Sequence, residues 1–391
     1  MEILTSLSII LIGGLIASRI VRVLKLPSVT AYILFGILIG PFALNLTSDK
    51  LLLSSGIISN FVLGIVAFSL GEGLSIKFIK KLGKVVVWIP ILEAVGAWIL
   101  VTLVFLIVLK QPLYLSLIFG SIASATAPAA TMAIVRELKA KGTFTDVLLG
   151  VVAIDDAWCL IIFALSLAIS KALYFNGEDI YLFNIIGKGL YEIGGAFVVG
   201  GITGLACIGF SKFLLKRDDD LLVYTIGFIL ISMSLSIYLH LSLLLTCMAM
   251  GTVVNNIGDS GRKLFESIRR IDSFLYLIFF VIVGASLEIN LMSSVGILVI
   301  VYMLARVVGK IGGAFLGAYI SEAPQSIKYL GLALVPQAGV ALGVAMIAKT
   351  EFPVVGGFIL TTIIAEVIMN ELIGPPCTRF AIVRSGDSQV K

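Results

Sequence analysis

Long apolar segments recur along nearly the whole chain of 391 residues and restrict the possible folds more than any other feature. Apolar residue types make up 59% of the sequence and charged residues 13%, against roughly 25% charged residues in soluble domains. A helix crosses a bilayer with about 20 apolar residues, and lipid requires each spanning segment to satisfy its own backbone hydrogen bonds. The composition therefore predicts an all-α membrane protein and excludes a soluble enzyme, a disordered chain and a nucleic-acid-binding protein.

Charged residues and clusters of Gly, Pro and Asn divide the chain into thirteen apolar segments. The predicted transmembrane helices are 3–22, 28–45, 55–73, 85–109, 113–135, 146–170, 185–211, 221–238, 240–255, 272–288, 293–320, 329–348 and 354–377. The first segment lacks the basic start of a cleaved signal peptide, so we interpret it as a membrane span. A cytoplasmic tail is expected over 378–391.

The distribution of basic residues supports this count. The loops on one face, together with the tail, carry 21 of the 28 Lys and Arg residues, and the loops on the opposite face carry 5. Because cytoplasmic loops are enriched in Lys and Arg, we expect the N-terminus outside and the C-terminus inside. The two remaining basic residues, Arg306 and Lys310, fall inside the eleventh span.

An odd number of spans suggests an internal symmetry. If spans 1–6 and 8–13 are equivalent units, the seventh span inverts the second unit, which is the plan of many secondary transporters with sites on interrupted helices. The fifth span of each unit contains helix breakers, which are Pro128 in the first and Pro336 with Gly339 in the second. We therefore predict two inverted six-helix repeats with a pair of broken, crossing helices.

Two adjacent carboxylates, Asp155 and Asp156, lie within the apolar sixth span. Ionisable groups at membrane depth are costly and usually functional. Consecutive helical residues point about 100° apart, so one carboxylate is expected to face a cation cavity and the other a basic partner. Lys310 is the predicted partner.

Arg306 lies one turn before Lys310 on the same helix face. Its predicted role is a structural charge that Glu93 or Glu366 balances. Carboxylate and carbonyl oxygens suit hard cations, and a buried carboxylate beside a cation can hold either a proton or a metal ion. That competition is sufficient for antiport. The four cysteines and the single histidine lack metal-ligand spacing and no GxxxxGK[ST] motif occurs, so no cofactor and no nucleotide are expected.

Several stretches resemble one transporter family in order along nearly the whole chain. AIDDAWCLIIFA at 153–164 resembles the two-aspartate motif of electrogenic sodium/proton antiporters of the monovalent cation:proton antiporter superfamily. Further resemblances are LPSVTAYILFGILIGP, FSLGEGLSIKFIKK, SATAPAATMAIV, FFVIVGASLEI, ARVVGKIGGAFLGA, PQAGVALGVA and NELIGPP. The double aspartate together with RVVGK is the most specific part of this resemblance.

The resemblance implies roles for individual residues. Asp156 would be the main carboxylate for Na⁺ (or Li⁺) and H⁺, and Asp155, a second Na⁺ ligand, would pair with Lys310 when no cation is bound. Thr126 would lie at the helix break beside the site. Ala127 departs from the family, because many members carry Asp or Ser there, and it offers no side-chain ligand.

The resemblance also implies a domain plan. Spans 1–3 (1–75) and 8–10 (221–288) would form a dimerisation domain, and spans 4–6 (84–171) and 11–13 (293–377) a core domain. Span 7 (185–211) would link them, and the core would move like an elevator with two protons exchanged per sodium. A homodimer in a prokaryotic inner membrane is expected.

Three alternatives to a sodium/proton antiporter stay open at this point. A potassium/proton antiporter of the same superfamily would often lack the first acid of the pair. A sodium-coupled symporter for organic anions would need a larger polar cavity. The third alternative is a channel or a receptor-like module. The Lys310 counter-charge suits alternating access better than it suits a permanently open pore.

Overall fold

The computed structural model describes residues 3–23, 28–76, 80, 83–175, 182–214, 220–257 and 261–389. This part of the chain is helical, and helices lie in all thirteen predicted segments. In chain order they are α1 Ile3–Val23, α2 Ser28–Ile39, α3 Asp49–Leu53, α4 Ser55–Leu70, α5 Val85–Leu103, α6 Leu113–Ala123, α7 Pro128–Glu137, α8 Thr143–Phe175, α9 Leu182–Leu214, α10 Leu221–Tyr238, α11 Leu243–Ile257, α12 Gly261–Arg269, α13 Asp272–Ala285, α14 Met292–Ile320, α15 Leu330–Ala333, α16 Gly339–Glu351 and α17 Gly356–Ser385. A π-helical turn, Val104–Val108, extends α5.

Seven of the described helices are long and apolar enough to cross a membrane by themselves. They are α1, α5 with its π-helical turn, α8, α9, α10, α14 and α17. Five shorter apolar helices, α2, α4, α6, α11 and α13, lie between them. The fold is therefore that of an all-helical, multi-pass membrane protein.

The helices pack in two groups. In one group, α5 packs along α14 and against α6 and α8, while α17 packs on α14, α16 and α7. In the other, α2 packs on α1 and α13, and α11 packs on α4 and α10. Helix α9 contacts α11, α10 and α8, so it touches both groups.

Glycine allows α5 and α14 to approach closely. A Cβ atom on Gly313 would lie 2.1 Å from the carbonyl oxygen of Leu92 and 2.6 Å from the Cα of Glu93. Small residues at such positions let membrane helices pack backbone to backbone. This packing brings Lys310, which lies less than one turn before Gly313, next to Glu93.

The last helix is longer than predicted. The thirteenth span was expected to end at residue 377, but α17 continues to Ser385 through Pro375 and Pro376. Its extra turns bury Ala381 and Ile382, and this packing offsets the backbone hydrogen bonds that the prolines remove.

The segment after α17 is hydrogen-bonded to the rest of the protein. The Asp387 carboxylate accepts hydrogen bonds from the backbone N–H and the hydroxyl of Thr145, at 2.8 and 2.9 Å. The backbone N–H of Lys141 donates to the Asp387 carbonyl at 3.0 Å. Asp387 thus satisfies an N–H in the first turn of α8, and the Gln389 N–H donates to the Leu138 carbonyl at 3.1 Å.

Candidate functional site

Two interrupted helices meet near the centre of the first helix group. The chain is non-helical at 124–127, between α6 and α7, and at 334–338, between α15 and α16. Pro128 is the first residue of α7, and the preceding Ala127 is extended, as proline disfavours helix before it and fits the first helical position. The Ala127 N–H donates to the Pro336 carbonyl at 2.8 Å, so the two interruptions are joined directly.

Arg306 holds this crossing together from α14. Its guanidinium donates to the carbonyl oxygens of Ala123 (3.0 Å), Ala125 (2.6 Å) and Val335 (2.6 Å). The side chain is fully buried. Carbonyls at a helix end have no intrahelical partner, so one cation satisfies acceptors from both broken helices.

A neutral contact joins the same two interruptions. The side-chain amide of Gln337 donates to the Ile122 carbonyl at 2.7 Å and lies 3.3 Å from the hydroxyl of Tyr302. Tyr302 is fully buried, with its ring packed edge-on against Phe105 and Phe119. Gln337 therefore fixes the second break on α6 through a hydrogen bond without charge.

Lys310 lies one turn further along α14 and has ionisable neighbours. Its ammonium donates to the Glu93 carboxylate at 2.6 Å and lies 3.4 Å from the Asp155 carboxylate. It also donates to the hydroxyl of Thr126 at 2.7 Å and to the carbonyl of Ser124 at 2.9 Å. Lys310, Glu93 and Asp155 are all fully buried.

Thr126 connects Lys310 to Asp155. Its hydroxyl accepts from Lys310 and donates to the Asp155 carboxylate. Thr126 lies in the interruption at 124–127, and its hydroxyl is placed between the two groups. Asp155 is thus held on its lysine side, while its other oxygen has no hydrogen-bond partner among the described residues.

Asp156 points elsewhere. It lines a cavity of about 350 Å³ together with Leu63, Tyr276 and Val340, and no other described residue of this lining is charged. The side chain is 2% exposed, and one carboxylate oxygen lacks a hydrogen-bond partner among the described residues. The cavity extends along α7 to Met132, one turn before Arg136, so it points toward the helix ends that carry most of the basic residues.

The helix dipoles divide the site by charge. The C-terminal ends of α6 and α15, which carry partial negative charge, face Arg306 and Lys310 through the carbonyls of Ala123, Ser124 and Val335. The N-terminal ends of α7 and α16 carry partial positive charge and lie at the cavity that Asp156 lines. Arg306 and Lys310 therefore lie at the C-terminal ends of the half-helices, and the Asp156 carboxylate lies at the N-terminal ends.

A second cavity lies at the opposite helix ends. It measures about 330 Å³, and its lining includes Lys171, Glu351 and His240. Lys171 and Glu351 form an ion pair at 2.8 Å that joins α8 to α16. This cavity is more polar than the one at Asp156 and contains the only histidine of the sequence.

One predicted pairing is wrong. Glu93 was suggested as a balance for Arg306, but its carboxylate pairs with Lys310 at 2.6 Å. Glu366, the other suggestion, is buried and accepts a hydrogen bond from Asn370, while Arg306 forms no ion pair with any described carboxylate. The reason is geometric: α5 packs along α14 so that Glu93 meets Lys310, and the guanidinium of Arg306 is directed at the carbonyls of the crossing.

Sequence reasoning also missed Gln337 as a contact between the interruptions. Its position next to Pro336 was a usable signal, because the residues of a break must find partners outside their own helix. The Glu93–Lys310 contact offered no comparable signal, since nothing in the sequence indicates which spans are neighbours.

The fold and the buried charges define a class of protein. Interrupted helices that cross at membrane depth, with ionisable groups between them, are typical of secondary transporters. A family model described as "Sodium/hydrogen exchanger, transmembrane" matches residues 7–382. The chain belongs to this family of membrane antiporters, which are transporters and not enzymes.

Individual relatives agree with this assignment. The chain is 26% identical over 317 residues to the "Probable Na(+)/H(+) antiporter 2" of Methanocaldococcus jannaschii, covering 74% of this chain and 70% of the relative. The structure is similar to that of the sodium proton antiporter MjNhaP1 from the same organism at pH 8, with a TM-score of 0.77, 18% identity and coverage of 96% and 97%. An electron-microscopy structure of MjNhaP1 gives a TM-score of 0.71 at 19% identity and covers both chains fully. At this identity the likeness of the structures concerns the fold.

Proposed function

We propose that this protein exchanges Na⁺ or Li⁺ for H⁺ across a prokaryotic inner membrane, with both ions competing for Asp156. The observation that carries this proposal is the buried Asp156 carboxylate, which has an unpartnered oxygen and lines a cavity otherwise free of charged described residues. A buried, unpaired carboxylate is costly. It is relieved by a proton or by a cation, and the two are mutually exclusive.

Asp155 is the second carboxylate of the exchange site in this proposal. It adjoins Asp156 in the chain and lies 3.4 Å from Lys310. A monovalent cation between the two aspartates would meet two ionised carboxylates, whereas the proton-loaded site would hold two protons. Exchange of two protons for one Na⁺ moves net charge, so we propose that transport is electrogenic.

The mechanism we propose is elevator-type alternating access. The cavity at Asp156 is lined by both helix groups, with Leu63 and Tyr276 from one and Val340 from the other. A shift of one group against the other would therefore change the face to which the cavity opens. The dimerisation domain of spans 1–3 and 8–10 and the core of spans 4–6 and 11–13 are the two bodies, with thirteen spans in inverted repeats, a cytoplasmic C-terminus and a homodimer as the assembly.

The deciding experiment uses purified protein in proteoliposomes with an imposed pH gradient. We expect Na⁺ and Li⁺ to dissipate the gradient in the wild type and Asp156→Asn to reduce the response to that of empty liposomes. Glu371→Gln is the matched control, because it removes another buried membrane carboxylate, one that accepts a hydrogen bond from Thr30 and does not line the cavity. Full exchange by Asp156→Asn would overturn the proposed site.

The same preparation separates the alternatives. A response to K⁺ but not to Na⁺ or Li⁺ would favour a potassium/proton antiporter. No response to any of these cations would reject antiport altogether. An imposed membrane potential changes the rate of electrogenic exchange and leaves a one-for-one exchange unchanged.

A further inference from the structure

Glu93 makes the shortest ion pair of the buried centre. Its carboxylate lies 2.6 Å from the Lys310 ammonium, against 3.4 Å for Asp155. Both partners are fully buried. An ammonium has three hydrogens, and four oxygens surround this one, from Glu93, Asp155, Thr126 and Ser124. Asp155 is the most distant of the four.

The two carboxylates are positioned by different means. Glu93 is set by the close backbone contact of α5 with α14, where Gly313 leaves no room for a side chain against Leu92. Lys310 belongs to the same α14, so the Glu93–Lys310 pair is part of one rigid helix contact. Asp155 comes from α8 and adjoins Asp156, which lines the cavity. The contact that can change during exchange is therefore that of Asp155.

The charges of the centre point the same way. When a cation binds between Asp155 and Asp156, the negative charge of Asp155 is drawn toward the cation and neutralises Lys310 less. A buried ammonium left without a carboxylate is strongly unfavourable. Glu93 removes this difficulty because it is a second carboxylate in contact with the ammonium, at 2.6 Å, and comes from a different helix than Asp155.

We propose that Glu93 is the resident counter-ion of Lys310, which keeps the lysine charged through the whole transport cycle and leaves Asp155 free to pass between Lys310 and the transported cation. Glu93 is a positioning residue in this scheme, since it acts through Lys310 and does not touch the ion. The transported protons are then carried by Asp155 and Asp156 and not by the lysine. This inference rests on the proposed exchange of Na⁺ for H⁺.

The test is the apparent KM for Na⁺ of Glu93→Gln in proteoliposomes. Without Glu93, Asp155 is the only carboxylate left for Lys310, so the cation has to displace a tighter pair. We expect KM to rise by about tenfold, the factor that corresponds to 1.4 kcal/mol, with a smaller change in the rate at saturating Na⁺. A purely structural role would lower the yield of folded protein and the maximal rate but leave KM unchanged.

Two further variants make the outcome decisive. Glu93→Asp keeps the carboxylate one methylene further from Lys310, so its KM should lie between the wild type and Glu93→Gln; it also serves if the glutamine variant does not fold. Glu371→Gln, with the same chemical change outside the centre, should keep the wild-type KM. A second readout, stabilisation of the purified protein by Na⁺ against heat, should require higher Na⁺ in Glu93→Gln.

The failure of this inference is distinguishable from failure of the proposed function. If the wild type exchanges no cation and is not stabilised by Na⁺, the proposed function is wrong. If the wild type exchanges Na⁺ and both Glu93 variants keep its KM, Glu93 is not the resident counter-ion.

Discussion

Arg306 and Lys310 are two buried cations one turn apart on the same helix, and they have opposite surroundings. Arg306 is bound by three backbone carbonyls from the two broken helices, whereas Lys310 is bound by two carboxylates, a hydroxyl and one carbonyl. Carbonyls cannot change their charge, but carboxylates can gain a proton or a metal ion. The comparison teaches that a buried cation on fixed dipoles stabilises the crossing, while one on ionisable partners can take part in exchange.

The largest effect is expected at the arginine. Arg306→Met leaves three buried carbonyls without donors and unlinks the two interruptions. Each buried acceptor that is left unsatisfied costs about 1–3 kcal/mol, so we expect little folded protein. Thermal unfolding in detergent measures this, with Arg306→Lys as the control that keeps the charge and loses the forked geometry. A stable Arg306→Met protein would contradict the structural role.

The Lys310→Met variant should show most clearly that Lys310 and Arg306 have different roles. We expect a folded protein without exchange activity, because Glu93 and Asp155 lose their shared counter-ion and hold protons instead. The native state then binds protons that the unfolded state releases, so stability falls as the pH rises. Melting temperature against pH checks this sign. The dependence should be weaker in the wild type, and a flat profile for Lys310→Met would argue against the coupling.

A smaller effect is expected on the lysine side at Thr126, whose hydroxyl joins Lys310 to Asp155. Thr126→Val keeps the shape and removes the hydroxyl, which should cost about 1–2 kcal/mol and weaken exchange more than folding. Thr126→Ser retains the hydroxyl and should behave like the wild type. The measurement compares the exchange rate and the melting temperature of each variant with those of the wild type. If Thr126→Val and Thr126→Ser lost the same exchange rate, the hydroxyl would not be the cause of the loss.

The smallest effect belongs to the neutral contact beside Arg306. Gln337→Leu removes the hydrogen bond to the Ile122 carbonyl, and one such bond contributes about 1 kcal/mol. Because Gln337 carries no charge and does not line the cavity at Asp156, the melting temperature should fall slightly while the apparent KM for Na⁺ stays constant. A changed KM would show that the two sides of the crossing are not independent.

Much of the fold could be predicted locally. The apolar segments indicated where helices lie, and the Pro and Gly residues indicated both interruptions, because helix formation in lipid depends on residues close in sequence. The ends of helices were predicted less well where tertiary packing determines them. Helix α17 runs on to Ser385 because Ala381 and Ile382 find a buried surface, and the amphipathic α12, Gly261–Arg269, lies in a loop that hydropathy leaves unassigned.

The site divides in the same way. The two aspartates, Arg306 and Lys310 stand out in the sequence because charge is rare in apolar segments, and the helical turn already separates the directions of Asp155 and Asp156. The partner of each cation does not follow from the sequence. Glu93 and Glu366 were equivalent candidates for balancing Arg306, but the contact of α5 with α14 places Glu93 2.6 Å from Lys310.

The sequence by itself therefore determined the helices, their interruptions and the short list of buried charges, since hydropathy and backbone chemistry act over one or two turns. Only the tertiary structure decided that Arg306 binds carbonyls, that Glu93 shares Lys310 with Asp155, and that Asp156 faces the cavity. These outcomes depend on which backbones approach each other, and that is set by glycine-mediated packing between helices more than 200 residues apart, such as Glu93 and Lys310.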